Sequence, residues 1–131
     1  MWAGRAARQA HLPRMADPPA CTVYYDGACP VCAREIAHYR RCEGAERLLF
    51  VDVSAGRDPA PDLTRAAALA RMHVRAADGR LVSGAAAFAV LWQALPGWRR
   101  LGRVAALPGV AQALELAYRA FLHARRIWRR G

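Results

Sequence analysis

Two cysteines separated by two residues, Cys29 and Cys32, give this chain its clearest chemical signal. The Asp26-Gly27 pair before them favours a tight turn, and the residues at 23–25 before that turn favour a strand. Pro30 suits the first turn of a helix, so the cysteines are predicted to lie where a strand passes into a helix. Unpaired amides and the positive end of the helix dipole stabilise a thiolate there, and the thiolate is the nucleophilic form. We therefore interpret the pair as a redox site in which Cys29 attacks and Cys32 closes a disulfide.

Asp26 has two interpretations at this position. A carboxylate three residues before Cys29 could accept a proton from a cysteine during exchange, or have its pKa raised by burial and act as a base. Alternatively, it is a turn aspartate whose side chain accepts backbone N–H groups. Both interpretations remain open from the sequence, and Asp26 joins the two cysteines as a candidate catalytic residue.

A zinc site is the main alternative use of these thiols. Zinc needs four ligands, usually from a second C-x-x-C or from paired histidines. Cys21, Cys42 and His38 are the nearby candidates, and their spacing fits no ordinary zinc module. We therefore assign no metal and no other cofactor to the chain, and no catalytic role to Cys21 or Cys42.

Predicted strands and helices alternate along the chain. The apolar run at 48–53 is typical of a buried strand in a parallel sheet, and with a strand at 21–25 and a helix at 30–41 it makes a β-α-β unit. Asp62 is the expected N-cap of the next helix, and Asp78-Gly79 predicts a hairpin. The other predicted elements are a helix at 63–70, strands at 71–75 and 81–82, a buried helix at 85–95, a short amphipathic stretch to 108 and a last helix at 109–128. This order predicts an α/β, thioredoxin-like fold: a small mixed central sheet flanked by helices, with an extra C-terminal helical segment.

Length and composition predict one domain with an extension before it. The chain has 131 residues, enough for a modest core. Residues 1–19 are rich in alanine, arginine and proline without periodicity, so they are predicted to be disordered, with Met15 as a candidate translation start. The domain is expected at 20–131. The N-terminus lacks the apolar core of a secretory signal, which favours a reducing cytoplasm. The uncharged run at 81–98 contains proline and glycine and is not expected to span a membrane.

Positive charge is concentrated near the C-terminus. All 20 basic residues are arginine, as is typical of a GC-rich bacterial genome, and the net charge is +10. The segment 99–131 holds eight arginines against Glu115 as its one acidic residue. Basic amphipathic helices can lie on anionic membranes. The alternative function is therefore a non-catalytic docking module that binds a membrane surface or membrane protein through its arginine-rich C-terminal helix. No basic-aromatic motif of a nucleic-acid-binding module is present, so no nucleic acid partner is expected.

The chain resembles the DCC family of thiol-disulfide oxidoreductases, a thioredoxin-like group named for one aspartate and two cysteines. The matching motif is YYDGACPVC, with Asp26, Cys29 and Cys32. The resemblance continues through FVDV, MHVRAADGRLVSGAAAF, LPGW and the LPGV…AYRAF stretch, and covers about 21–126. It implies a thiol-disulfide oxidoreductase that acts on an unidentified disulfide or dithiol substrate. From the cysteine usage and the N-terminus we expect this enzyme in the cytoplasm, with peripheral membrane contact through the C-terminal helix left open. Chemistry is then expected in the turn and first helix, with Arg125, Arg126, Arg129 and Arg130 peripheral to it.

One feature departs from better-known thioredoxin-like enzymes. Those enzymes usually place a cis-proline before the strand that faces the cysteines. No proline precedes the strand predicted at 71–75, and Met72 is expected to occupy that place.

Overall fold

A four-stranded mixed sheet forms the centre of the computed structural model, which describes residues 19–130 and, for 128–130, the helical backbone alone. The strands are β1 (Cys21–Tyr25), β2 (Leu48–Asp52), β3 (His73–Ala76) and β4 (Leu81–Ser83). They are ordered β2-β1-β3-β4 in space. β1 pairs with β2 in parallel and with β3 antiparallel, and β3 pairs antiparallel with β4.

Five α-helices surround this sheet. They are α1 (Pro30–Arg40), α2 (Arg65–Ala70), α3 (Ala85–Ala94), α4 (Arg99–Ala105) and α5 (Val110–Arg130), and two short 3-10 helices lie at Ala45–Arg47 and Pro96–Trp98. The order of elements and the mixed sheet confirm the predicted thioredoxin-like α/β fold with an extra helical segment at its C-terminal end.

β1 supplies side chains to two hydrophobic clusters. Cys21 and Val23 belong to the larger cluster, whereas Tyr24 belongs to a smaller one with Val53 and Leu63. Successive side chains of a strand point to opposite faces of its sheet, so the two clusters lie on opposite faces. The larger cluster also takes in buried residues of α1, β3, α3 and α5: Ile36, Tyr39, Val74, Ala87, Leu91 and Tyr118.

Two local expectations are wrong. β2 is an edge strand in which Leu49 is 51% exposed, rather than a strand buried within a parallel sheet. Thr64, not Asp62, caps α2: its hydroxyl accepts the N–H of Ala67 at 3.1 Å. Asp62 instead forms an ion pair with Arg75 at 2.5 Å, because the turn before α2 brings it beside β3.

α5 is attached to the sheet end through polar contacts as well as packing. The Tyr118 hydroxyl accepts the N–H of Met72 at 2.6 Å in a buried setting. Glu115 binds Arg71 at 2.5 Å and accepts the N–H of Ala85, the first residue of α3, at 3.1 Å. The start of β3 and the start of α3 are therefore tied to the same helix.

Two predictions concern the ends of the chain and the membrane. The predicted extension at 1–19, with Met15, lies outside the described residues apart from Pro19. Within 19–130, no helix has the length and apolar content needed to cross a membrane. The uncharged run at 81–98 is divided among β4, α3 and a 3-10 helix.

Leu91, fully buried on α3, provides a test of the larger cluster. Leu91→Ala should lower the free energy of unfolding by roughly 2–5 kcal/mol, because it removes transfer free energy and leaves a cavity. Leu116→Ala on α5 is the control, since Leu116 is 66% exposed and its truncation leaves no cavity. Urea denaturation measures both variants. Equal losses of unfolding free energy in the two variants would contradict the assignment of Leu91 to the core.

Candidate active site

Two aspartates hold the loop between β1 and α1. Asp26 is buried, and its carboxylate accepts the N–H of Ala28 at 3.0 Å. Asp52 ends the parallel strand β2, which places its carboxylate beside the same loop, where it accepts the N–H groups of Gly27 and Ser54, each at 2.9 Å. Burial opposes ionisation of Asp52, but the Ser54 and Gly27 contacts outweigh it and lower its pKa.

Gly27 is required where the loop passes Asp52. A Cβ on Gly27 would lie 2.0 Å from Asp52 Oδ2 and 2.4 Å from its Cγ. Real Cβ atoms do not approach this closely, so any side chain at position 27 must displace the carboxylate that holds the loop. Glycine at position 27 thus allows the loop to lie close to Asp52 at the end of β2.

Cys29 is the N-cap of α1, as the sequence predicted for the strand-to-helix junction. Its backbone is extended, Pro30 occupies the first turn, and the Cys29 Sγ accepts the N–H of Cys32 at 3.5 Å. An amide at a helix N-terminus favours the thiolate over the neutral thiol. Cys29 has 0% exposed surface, so this sulfur is electrostatically supported but covered.

Cys32 differs from Cys29 in its exposure. It is half-buried, and it lines a cavity of about 250 Å³. Burial and the neighbouring Cys29 raise the pKa of Cys32 to about 12, while Arg125 acts to lower it. The interaction with Cys29 favours charge on one sulfur at a time, since two adjacent thiolates repel.

Arg125 was expected to be peripheral to the site, and this expectation is wrong. It is 8% exposed, and one of its guanidinium nitrogens lies 3.8 Å from Cys32 Sγ. Its other terminal nitrogen donates to the carbonyl oxygens of Leu69 at 2.6 Å and Ala70 at 3.3 Å. Arg126, the next residue, is exposed, which agrees with the expectation for that position.

The cavity beside Cys32 has a mostly apolar wall with few polar groups. It is lined by side chains from β1, the loop, α1, α2, α3, α5 and the residue before β3: Tyr25, Asp26, Val31, Cys32, Glu35, Ile36, Ala68, Met72, Phe88, Tyr118, Phe121 and Arg125. A concave apolar site with a few converging polar groups is typical of small-ligand pockets. The structure thus brings Asp26 and Cys32 to one cavity, while the Cys29 sulfur, which does not line it, contacts the backbone N–H of Cys32.

Two polar groups at this site, besides Arg125, were missed by sequence reasoning. Glu35 lies one helical turn after Cys32 and lines the same cavity, and burial raises its pKa. Helical spacing from Cys32 could have identified it. Asp52 belongs to FVDV, and the rule that parallel strands end at one sheet edge could have placed it by the loop. No local signal in the sequence points to Arg125.

Met72 stands immediately before β3 and lines the cavity, at the place where the sequence led us to expect it. Its N–H donates to the Tyr118 hydroxyl and its carbonyl accepts the N–H of Gly84 at 3.0 Å. Because α5 and the start of α3 occupy these backbone groups, a substrate would meet the Met72 side chain rather than its amide.

The remaining cysteines lie away from the cavity. Cys21 is in the larger hydrophobic cluster, where burial raises its pKa to about 11. Cys42 Sγ donates to the carbonyl of His38 at 3.6 Å. In the part of the chain that the structure describes, no three histidine, cysteine, aspartate or glutamate side chains are grouped so as to hold a metal ion.

Comparison with known proteins gives one match. The family model described as DCC1-like thiol-disulfide oxidoreductase matches residues 23–131, which include the loop, both cysteines of the motif and α5. No curated protein sequence and no solved structure matches the chain.

Gly27→Ala tests the close approach of the loop to β2. The added Cβ collides with the Asp52 carboxylate, so we expect a loss of roughly 1–3 kcal/mol in the free energy of unfolding, the usual cost of overpacking. Gly97→Ala is the matched control, since a Cβ there meets no heavy atom within 4 Å. In the double variant Gly27→Ala/Asp52→Ala, the cost of the alanine at position 27 should fall. An unchanged cost in that background would refute the clash.

Proposed function

This chain belongs to the DCC1-like thiol-disulfide oxidoreductase family, and we propose that its Cys29–Cys32 dithiol exchanges with a disulfide bound in the cavity beside Cys32. The observation that carries this proposal is the position of Cys29 as the N-cap of α1, with its sulfur accepting the N–H of Cys32. That contact puts a thiolate-stabilising amide on the Cys29 sulfur, and the amide belongs to the second cysteine of the pair.

The proposed reaction has two steps. The Cys29 thiolate attacks one sulfur of the substrate disulfide R–S–S–R′, and R′S⁻ leaves and takes up a proton. Cys32 then loses its proton and attacks the Cys29 sulfur of the mixed disulfide, which releases RS⁻ and leaves a Cys29–Cys32 disulfide. The substrate gains two electrons and two protons in total, and the dithiol loses them. The same steps in reverse oxidise a substrate dithiol.

Cys29 is assigned the attack for an electrostatic reason. Burial and the neighbouring Cys29 both oppose ionisation of Cys32, whereas an amide supports the Cys29 thiolate. Attack by Cys29 requires the side chains that cover it to move aside, because it has 0% exposed surface. The exposure of Cys32 to the cavity favours the opposite division of roles, which the labelling experiment below distinguishes.

Asp26 is proposed as the group that accepts and returns protons during exchange. It lines the cavity with Cys32, and it is buried, so its carboxylate is shielded from bulk water. A carboxylate can accept several hydrogen bonds at once, so its contact with the Ala28 N–H does not prevent it from accepting a proton. The turn-holding and proton-accepting roles of Asp26 are therefore compatible.

Alkylation of the reduced protein tests the division of roles. Iodoacetamide between pH 5 and 9, followed by peptide mass spectrometry, should modify Cys29 at lower pH than Cys32, since an amide stabilises the thiolate of Cys29. Cys29→Ser should abolish reduction of a small disulfide, and Cys32→Ser should accumulate the mixed disulfide on Cys29. Cys42→Ser is the control and should keep the parental rate.

Two results would count against these assignments. Preferential labelling of Cys32 at low pH would reverse the roles of the two cysteines. A Cys29→Ser protein with the parental exchange rate would overturn the proposed function itself.

Peripheral membrane contact is a second candidate function, and the surface of α4 favours it. The protein would then contact a membrane from the side of a reducing cytoplasm. Exposed apolar and exposed basic side chains lie together on α4 and the turn after it: Leu101, Val104 and Leu107 beside Arg99, Arg100 and Arg103. We define these six residues as the α4 surface. Apolar side chains among arginines suit the headgroup region of an anionic bilayer.

Replacing the arginines of the α4 surface tests this contact. Changing Arg99, Arg100 and Arg103 to glutamine should weaken binding to phosphatidylserine vesicles by about 1 kcal/mol per arginine, and added salt should reduce the difference. The matched control changes the exposed Arg41, Arg57 and Arg80, which removes the same net charge elsewhere. Vesicle sedimentation measures both proteins. If the two triple variants lose affinity equally, net charge rather than the α4 surface governs binding.

A further inference from the structure

A buried arginine from near the C-terminus reaches the second cysteine of the motif. Arg125 lies 93 residues after Cys32, and a guanidinium nitrogen approaches the Cys32 sulfur to 3.8 Å. The side chain is 8% exposed, which is unusual for arginine, since charged side chains are seldom buried without partners. A cation held in this position is therefore a feature that the fold maintains.

Backbone carbonyl groups fix the guanidinium where it stands. The nitrogen that does not face sulfur donates to Leu69 O at 2.6 Å and to Ala70 O at 3.3 Å. Both carbonyls belong to the last turn of α2, whose C-terminal end carries partial negative charge. Because these contacts leave the guanidinium little freedom, the nitrogen facing Cys32 is pre-oriented toward the sulfur.

The charge of the cavity explains why a cation is needed there. Asp26 and Glu35 are both acidic, and negative charge on either carboxyl opposes a thiolate on Cys32. Arg125 is the one basic side chain among the described lining residues. The titratable groups that face this site from the surrounding elements are Tyr25 on β1, Asp26 in the loop, Cys29 and Glu35 at α1, and Tyr118 on α5.

The second step of exchange makes a specific demand on Cys32. A neutral thiol is a poor nucleophile, so Cys32 must become a thiolate before it can attack the mixed disulfide. Burial opposes that ionisation, and a fixed positive charge beside the sulfur counteracts burial.

We propose that Arg125 is a catalytic residue that stabilises the Cys32 thiolate while it resolves the mixed disulfide on Cys29. This inference rests on the proposed function. In the step concerned, the Cys32 sulfur forms a bond to the Cys29 sulfur and the bond from Cys29 to the substrate sulfur breaks. The proton lost by Cys32 is balanced by the proton taken up by the departing RS⁻. Arg125 takes no part in the proton transfer and contributes only its positive charge beside the sulfur.

Single-turnover exchange tests the proposal on the full chain. Reduced parent, Arg125→Gln, Arg125→Lys and Arg126→Gln are mixed with bis(2-hydroxyethyl) disulfide, quenched with acid, and analysed by intact mass. We expect Arg125→Gln to form the mixed disulfide at close to the parental rate and to resolve it roughly tenfold more slowly or worse at pH 7. That estimate follows because an opposite charge this close moves a pKa by about 1–3 units. The pH profile of resolution should also shift upward.

Two variants distinguish an effect of the positive charge at position 125 from a structural role of the side chain. Arg125→Lys keeps the cation and should restore much of the resolution rate, whereas a purely structural role, through the Leu69 and Ala70 carbonyls, predicts no such rescue. Arg126→Gln removes the same charge from the exposed neighbouring position and should match the parent. If Arg125→Gln does not fold, the lysine variant decides the question. Resolution by a folded lysine variant at less than a tenth of the parental rate would overturn the proposal, as would parental resolution in a folded glutamine variant.

A second measurement tests the effect of Arg125 on Cys32 without requiring thiol-disulfide exchange. In the Cys29→Ser background, alkylation of Cys32 is followed against pH by peptide mass spectrometry, with and without Arg125→Gln. The midpoint should move to higher pH when the arginine is removed, and an unmoved midpoint would overturn the proposal. If the parent forms no mixed disulfide while this midpoint moves, the proposed function fails and the Arg125–Cys32 interaction stands.

Discussion

The site depends on one constraint: the loop after β1 must bring Cys29 to the first turn of α1 with its sulfur on an amide of that helix. Asp26 holds the loop from within, and Asp52 holds it from the neighbouring parallel strand. Gly27 allows the strand and the loop to approach closely. Because both carboxylates act on backbone N–H groups, the position of the Cys29 sulfur is set by main-chain geometry rather than by a flexible side chain.

α5 completes the site and also restricts access to it. Tyr118, Phe121 and Arg125 all reach the cavity from this helix, and contacts of Tyr118 and Glu115 tie it to β3 and α3. Tyr118 and Phe121 add apolar surface to the cavity beside Cys32, and low polarity strengthens charge interactions there. Burial and Arg125 act in opposite directions on Cys32. Burial raises the pKa of this thiol, whereas the charge of Arg125 lowers it.

The two cysteines consequently stand in different surroundings although only two residues separate them. Cys29 is covered and supported by an amide, whereas Cys32 meets a cavity, a cation and two carboxyl groups. Such asymmetry suits a dithiol whose members act in turn, since the group that attacks first and the group that resolves need different ionisation behaviour. The apolar wall of the cavity would add contact with the body of a substrate rather than with its sulfur atoms.

The amino-acid sequence was enough to predict the dithiol, the turn before it, the β-α-β unit and the thioredoxin-like order of elements. These features depend on residues close together in the chain, where turn propensity, helix capping and hydrophobic periodicity act directly. Long-range packing places β2 at the sheet edge, pairs Asp62 with Arg75 instead of leaving it to cap α2, and covers Cys29. It also decided that Arg125 meets Cys32 while Arg126 faces solvent. In the sequence those two arginines are equivalent members of a basic segment. Arg125 alone contacts the Cys32 sulfur and the carbonyls at the end of α2, because adjacent helical positions point about 100° apart.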